Sequence, residues 1–184
     1  SGTAYGGGVE LEGTQAILVG NIIAGNVISS ARGYGGGVAV DGGGPIILSG
    51  NIISANAAAN QTGAATERGY GGGVSVFSAP VTLSNNVIQG NTANSVTLGF
   101  GGGMYINGAD FTLIGNTVMS NTAGFAPGSG PYLAGGGVFI EASDGLLSGN
   151  ALTSNRANRN AAFGNGGGLA VYTSTLRVQG GRIA

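Results

Sequence analysis

Two stretches of the chain decide its fold: residues 71–94 are GGGVSVFSAPVTLSNNVIQGNTAN, and residues 101–124 are GGGMYINGADFTLIGNTVMSNTAG. Both begin with three glycines, continue with two pairs of alternating apolar residues, and carry asparagine at the same two later places. A segment that recurs in this way indicates a repeat protein, in which each unit buries its apolar residues against the next unit.

The same unit occurs six times along the chain. Each unit opens with a glycine triplet, and the triplets begin at Gly6, Gly35, Gly71, Gly101, Gly135 and Gly166. Apart from one extra residue in the turn at 42–45 of the second unit, differences in unit length fall after the second asparagine, in segments 27–34, 57–70, 92–100, 122–134 and 156–165. We therefore predict one domain over residues 1–184, with all five variable segments emerging along a single edge.

Apolar residues within each unit alternate over short runs, which is the periodicity of a strand with one buried face. In the third unit these residues are Val74 and Val76, then Val81 and Leu83, and finally Ile88. Three such strands cannot enclose a core alone, but they can when they stack in parallel on their copies. The pattern predicts an all-β, right-handed parallel β-helix of about six coils, with three short strands per coil and no helical cap.

Asparagine forms two columns when the units are aligned. The first column contains Asn21, Asn51, Asn86, Asn116 and Asn150, and the second contains Asn26, Asn56, Asn91, Asn121 and Asn155. Both columns flank the third strand, where the chain turns sharply, and we expect their members to take the left-handed backbone conformation that asparagine tolerates. Stacked amides can also hydrogen-bond along a column, so we predict a structural asparagine ladder.

These units resemble the repeats of secreted bacterial right-handed β-helix proteins, including the polymorphic outer-membrane proteins and related adhesins. The likeness rests on the glycine triplet, which is followed by an apolar residue, and on a Leu-x-x-Asn motif, which here spans 83–86, 113–116 and 147–150. It implies a β-helix that is exported to the cell surface or beyond. Because β-helix coils serve as adhesins, passenger stalks and polysaccharide-degrading enzymes, the resemblance leaves the function open.

The composition removes several kinds of chemistry. The chain contains no Cys, His, Lys or Trp, which excludes a thiol nucleophile, a histidine base, a Cys/His zinc site and a Schiff-base lysine. With a net charge of −1, the chain has no excess of basic residues of the kind that binds nucleic acid. Glycine and asparagine interrupt every apolar run before it reaches the length of a membrane span. We expect an extracellular or cell-surface protein with no nucleic-acid partner and no transmembrane segment.

Acidic turns in the fourth and fifth units form the candidate ligand site. Stacking places Asn107 beside Glu141 and Asp110 beside Asp144, so four oxygen-bearing side chains would converge on one corner. Two carboxylates about 5 Å apart suit a calcium ion or the acid pair of a retaining glycosidase. The alternative is a solvated turn, since these are ordinary turn residues. We predict no catalytic residue and no cofactor other than calcium at this corner.

Aromatic residues precede the first four glycine triplets, at Tyr5, Tyr34, Tyr70 and Phe100. An exposed column of rings could bind sugars by stacking. We favour a ladder in which each ring packs on the next, because neighbouring aromatic residues commonly stabilise sheets.

The leading hypothesis for function is a non-catalytic extracellular structural protein, a subunit of a surface filament, with adhesion as a further role. Residues 178–184 match residues 83–89 position for position, and residues 1–5 of another copy would complete that coil. Either the chain is six turns of a longer repeat protein, or copies stack head-to-tail through a contact that does not close; we favour the second explanation. The alternative is a carbohydrate-active or glycan-binding β-helix module, which a groove with clustered acids would favour.

Overall fold

A computed structural model describes residues 2–59, 67–94, 98–124, 135–157 and 166–184. Within these ranges the chain forms parallel strands and turns, without a helix, and therefore without a helix that could cross a membrane. The strands stack into a solenoid whose three long sheets each contain six strands. The predicted all-β parallel β-helix with three short strands per coil is confirmed.

The three long sheets are named the first, second and third faces, in the order in which the chain visits them. The first face consists of Val9–Glu12, Val38–Asp41, Val74–Phe77, Met104–Asn107, Val138–Glu141 and Leu169–Tyr172. The second face consists of Ala16–Val19, Ile46–Ser49, Val81–Ser84, Asp110–Ile114, Asp144–Ser148 and Thr175–Gln179. The third face consists of Ile22–Ala24, Ile52–Ser54, Val87–Gln89, Thr117–Met119, Ala151–Thr153 and Arg182–Ile183.

The core is a set of apolar columns that run along the axis of the solenoid. Each inward side chain stacks on its counterpart in the next coil, as Val76 does between Val40 and Ile106. One column changes side-chain size between coils: Phe111 is followed by Gly145, and a Cβ at Gly145 would lie 2.8 Å from the Phe111 ring. The large ring thus occupies the space that its neighbour leaves empty.

The corners on either side of the third face turn at the residue before each asparagine of the two columns. Gly50 and Asn85, which precede asparagines of the first column, have φ angles of 62° and 53°, and Ala55, which precedes Asn56, has 54°. None of the ten column asparagines has a positive φ. The expectation that they adopt the left-handed conformation is therefore wrong, because the preceding residue makes the turn and so directs the asparagine side chain inward.

The glycine triplet is required by close packing at the corner that leads into the first face. Gly71 has a φ of 60°, a region that favours glycine. A Cβ at Gly73 would lie 2.8 Å from the Gly103 carbonyl oxygen and 3.0 Å from the Asn91 amide nitrogen. A side chain at this third position would therefore push apart two coils and the asparagine column.

The variable segments form additional strands. A four-stranded sheet, named the entry sheet, contains Thr3–Tyr5, Arg32–Tyr34, Arg68–Tyr70 and Leu98–Phe100, and Ala57–Ala59 pairs with Thr92–Asn94. Parallel pairing links the starts of all five segments, at Val27, Ala57, Thr92, Thr122 and Arg156. The described parts therefore stack along one edge, as predicted. Residues 60–66, 95–97, 125–134 and 158–165 lie outside the described residues.

Candidate functional site

Two ladders of asparagine side chains run along the corners that flank the third face. In the first ladder, Asn51 Nδ2 donates to Asn86 Oδ1 at 3.0 Å, and Asn86 Nδ2 donates to Asn116 Oδ1 at 2.9 Å. The second ladder repeats this geometry, with Asn56 Nδ2 donating to Asn91 Oδ1 at 3.0 Å. All ten asparagines of the two columns take part in such bonds.

Each amide inside a ladder uses its full hydrogen-bonding capacity. Asn86 Oδ1 accepts from the backbone nitrogen and the Nδ2 of Asn51, at 2.9 and 3.0 Å. Its Nδ2 donates to the Leu48 carbonyl oxygen at 2.8 Å as well as to Asn116. Because Asn86 is buried and all four of its bonds are internal, it contributes to stability rather than to ligand binding.

The four aromatic residues of the entry sheet form a continuous stack. Ring centroids are 4.9 Å apart for Tyr5 and Tyr34, 4.7 Å for Tyr34 and Tyr70, and 5.0 Å for Tyr70 and Phe100. The rings within each pair are inclined by at most 13°. Because the inner rings cover one another's faces, this geometry favours the packed ladder over a platform on which sugar rings would stack.

A second row of aromatic residues lies under this stack, on the outer side of the first face. The Tyr105 ring lies 5.1 Å from Tyr70, and the Phe139 ring lies 5.9 Å from Phe100. Both Tyr105 and Phe139 are buried, although they alternate with core residues along their strands. This second apolar layer was not predicted; its signal in the sequence is an aromatic residue at an outward position of the third, fourth and fifth units, at Phe77, Tyr105 and Phe139.

Tyr105 links the aromatic layer to one of the predicted site residues. Its hydroxyl donates a hydrogen bond of 2.6 Å to Glu141 Oε2. Burial, together with this hydrogen bond and the nearby carboxylate charge, raises the pKa of Tyr105 far above its ordinary value. Burial also raises the pKa of Tyr34. Tyr105 therefore remains protonated and holds the Glu141 carboxylate against the first face.

The four predicted corner residues pair in the expected register but do not form one cluster. Asn107 lies beside Glu141 and Asp110 beside Asp144 in the paired strands. The Glu141 carboxylate accepts from Tyr105, and Asp144 Oδ1 accepts from the Thr175 backbone nitrogen at 2.9 Å. Among the residues that the structure describes, no three acidic side chains group as they would around a metal ion. Calcium binding at this corner stays a prediction.

Asp110 and Asp144 instead line a shallow groove, named here the corner groove. It consists of two open concavities of about 480 Å³ each, one at the turn between the first and second faces and one along the second face. Besides the two aspartates, the lining residues include Ser78, Pro80, Ser143, Thr173, Pro45, Thr82 and Thr112. Both aspartates are exposed, and the hydroxyl groups beside them can exchange hydrogen bonds with a polar ligand.

A comparison with protein families agrees with this architecture. The family described as the right-handed β-helix region matches residues 3–183. The chain belongs to this family. No curated protein and no solved structure matches the chain. Right-handed β-helices include both polysaccharide-degrading enzymes and non-enzymes, so family membership establishes the fold and its handedness without deciding the activity.

In this β-helix the buried polar groups and the exposed polar groups serve different purposes. The buried amides of the ladders are saturated by their neighbours, whereas the carboxylates of the corner groove face solvent. Two adjacent exposed carboxylates can bind hydroxyl groups or a cation.

Proposed function

We propose that this β-helix is a non-catalytic extracellular structural protein, whose copies stack into a surface filament with an adhesive role. The observation that carries the proposal is the constant register of the core columns, which continue from coil to coil over the whole described solenoid. Val171, Val178 and Ile183 are the members of these columns in the sixth coil.

Columns in constant register can be extended by the coil of another copy, because a strand at the edge of a sheet pairs readily with a further strand. A second copy would offer Leu11, Leu18 and Ile23 of its first coil to the columns of Val171, Val178 and Ile183, continuing the register seen between all neighbouring coils. Such a contact joins different surfaces of the two copies, so it repeats without closing and builds a filament.

The filament is tested by placing a charge at the proposed contact between copies. We expect the wild-type 184-residue chain to form fibres in negative-stain electron microscopy and Ile183→Lys to remain small in sedimentation velocity. Thr153→Lys is the matched control, because it adds the same charge at an outward position of the third face. A wild-type chain that stays monomeric at high concentration, or fibres that Ile183→Lys leaves unchanged, would refute the filament.

The non-catalytic part of the proposal has its own test. The chain is incubated with a panel of polysaccharides, and the release of reducing ends and of unsaturated sugars is measured. We expect no turnover above buffer. Turnover that disappears in Asp110→Asn or Asp144→Asn would contradict the proposal, whatever the outcome of the filament experiment.

The corner groove supports a second candidate function, which is glycan binding. Its two concavities adjoin at Asp110 and Asp144, beside hydroxyl and proline side chains. A glycan array would reveal binding that Asp110→Asn weakens and that Glu10→Gln, an exposed acid elsewhere, does not. Calorimetric titration with calcium of wild type and Asp144→Asn would test the calcium prediction in parallel. An array without hits would exclude this candidate for the glycans on it.

A further inference from the structure

We propose that Tyr105 is a site of one-electron oxidation, at which the phenol loses an electron while its proton moves to Glu141. The electron leaves through the aromatic rings that contact Tyr105 and reaches a one-electron oxidant at the surface. The β-helix then holds the oxidising equivalent as a neutral tyrosyl radical inside the aromatic layer. This activity is additional to the proposed structural function, and it is independent of whether copies associate.

The proton acceptor of this site is already in contact with the phenol. Tyr105 Oη donates a hydrogen bond of 2.6 Å to Glu141 Oε2, a length typical of a hydroxyl that donates to a carboxylate. A phenol that loses an electron becomes strongly acidic, and a base within hydrogen-bond reach can take its proton in the same step. Tyr105 is therefore easier to oxidise than a tyrosine whose hydroxyl has no such base.

A chain of ring contacts connects Tyr105 with the surface. The Tyr105 ring lies 5.1 Å from Tyr70, which in turn stacks on Tyr34 at 4.7 Å between ring centroids. Tyr34 and Tyr70 precede the second and third glycine triplets and are half-buried, whereas Tyr105 is only 3% exposed. An oxidant in solution therefore meets Tyr34 and Tyr70 first, and the contacting π systems pass an electron outward from Tyr105.

Two features make Tyr105 the place where the oxidised state comes to rest. Among the tyrosines that the structure describes, Tyr105 is the one whose hydroxyl donates to a carboxylate, so its oxidation is the one with a base for the proton. The chain also contains no Trp and no Cys, the other side chains that one-electron oxidants attack readily. Tyrosine is therefore the side chain that such an oxidant reaches, and Tyr105 is the tyrosine that keeps the radical.

Packing around Tyr105 keeps the radical away from reactants. Its ring lies 5.2 Å from Phe77 and 5.6 Å from Phe139, and almost none of the side chain is exposed. Tyrosyl radicals at a surface couple in pairs to form dityrosine, whereas a ring covered in this way does not meet the ring of another chain. The Tyr105 radical should therefore outlive a radical at the exposed Tyr172.

The step balances in electrons and protons. One electron passes from Tyr105 to the oxidant, which is reduced by one unit of charge. The O–H bond of Tyr105 breaks and an O–H bond to Glu141 Oε2 forms, so the products are a neutral tyrosyl radical and a neutral carboxylic acid. A one-electron reductant reverses the step, because Glu141 returns the proton as the electron arrives.

Flash photolysis tests the site. The oxidant is tris(bipyridine)ruthenium(III), produced by light from the ruthenium(II) complex with a cobalt(III) ammine as electron acceptor, in calcium-free buffer. The tyrosyl radical is followed by its visible absorption and by electron paramagnetic resonance of frozen samples. Circular dichroism checks that each variant is folded.

Three variants separate the parts of the proposal. Tyr105→Phe removes the hydroxyl and keeps the ring, and Glu141→Gln keeps the shape of the acceptor without its basicity. Tyr172→Phe is the matched control, because the Tyr172 ring is exposed and contacts no other ring among the residues that the structure describes.

We expect wild type and Tyr172→Phe to form a long-lived tyrosyl radical that Tyr105→Phe lacks. Glu141→Gln should form it about a hundredfold more slowly, which is the contribution expected of a positioned proton acceptor. The absence of a long-lived radical from wild type, or its persistence in Tyr105→Phe, would overturn the proposal. So would a Glu141→Gln variant that forms the radical as fast as wild type does.

Discussion

Removal of one buried ladder amide is predicted to be among the most destabilising single substitutions in the chain. Asn86→Ala deletes a side chain that makes four hydrogen bonds at the corner between the second and third faces: two accepted from Asn51, one donated to Leu48 and one donated to Asn116. The backbone N–H of Asn51 then loses its acceptor at a fully buried position.

The expected loss of unfolding free energy follows from these contacts. Four hydrogen bonds at a net value of about 1 kcal/mol each give about 4 kcal/mol, and a buried donor without an acceptor adds about 1–3 kcal/mol. The loss should therefore be about 5 kcal/mol or more. Asn21→Ala is the matched control, because Asn21 occupies the exposed end of the same ladder and donates only to Asn51 and Val19. Its two side-chain hydrogen bonds, at about 1 kcal/mol each, give an expected loss of about 2 kcal/mol.

Urea denaturation of both variants, followed by far-UV circular dichroism, measures these losses. A change in the urea concentration at the midpoint of unfolding, without a change in the slope of unfolding free energy against urea concentration, shows that only stability has changed. If Asn86→Ala costs no more than Asn21→Ala, the ladder does not stabilise the fold by its hydrogen bonds, and the reasoning fails.

Three further predictions concern packing, alkaline stability and a buried hydroxyl. Gly145→Val places a Cβ against the Phe111 carbonyl oxygen and 2.8 Å from the Phe111 ring and should cost about 2 kcal/mol or more, of which adding Phe111→Val should recover only the part due to the ring; a double variant no more stable than Gly145→Val in thermal melts would contradict the contact with the ring. The pKa of Tyr105 is raised in the folded state, so stability should be intact below about pH 10 and should fall by about 1.4 kcal/mol per pH unit above it. Urea denaturation at increasing pH measures this fall in unfolding free energy, and Tyr105→Phe should remove the contribution of Tyr105 to it. If the unfolding free energy of Tyr105→Phe falls with pH as steeply as that of wild type, the prediction is wrong. Ser75 Oγ is buried without a hydrogen bond, so Ser75→Ala should stabilise the chain by about 1 kcal/mol, and a lower melting temperature would contradict this.

The apolar spacing of the repeats was sufficient to predict which residues become neighbours between coils. Asp110 and Asp144 lie side by side because the number of residues from triplet to ladder hardly varies between units. The same pattern could not show that the Glu141 carboxylate accepts a hydrogen bond from Tyr105. That direction depends on a buried aromatic layer, which exists because the entry sheet packs its rings against the outer side of the first face. The alternation of apolar and polar residues within a strand does not show whether another sheet packs on the outer side of that strand.

The asparagine ladders also give the rod an electrical direction. Between neighbouring asparagines of the first ladder, Nδ2 always donates to the Oδ1 that lies one coil closer to the sixth. The second N–H of these amides donates back to a main-chain carbonyl of the preceding coil, as that of Asn86 does to Leu48. The second ladder has the same orientation. The carbonyl groups that accept within the ladders therefore all point toward the first coil, so their dipoles align along the axis, and hydrogen bonds in such chains polarise one another. Uncharged side chains thus give the rod a dipole, which salt screens less in its interior than it screens exposed charges.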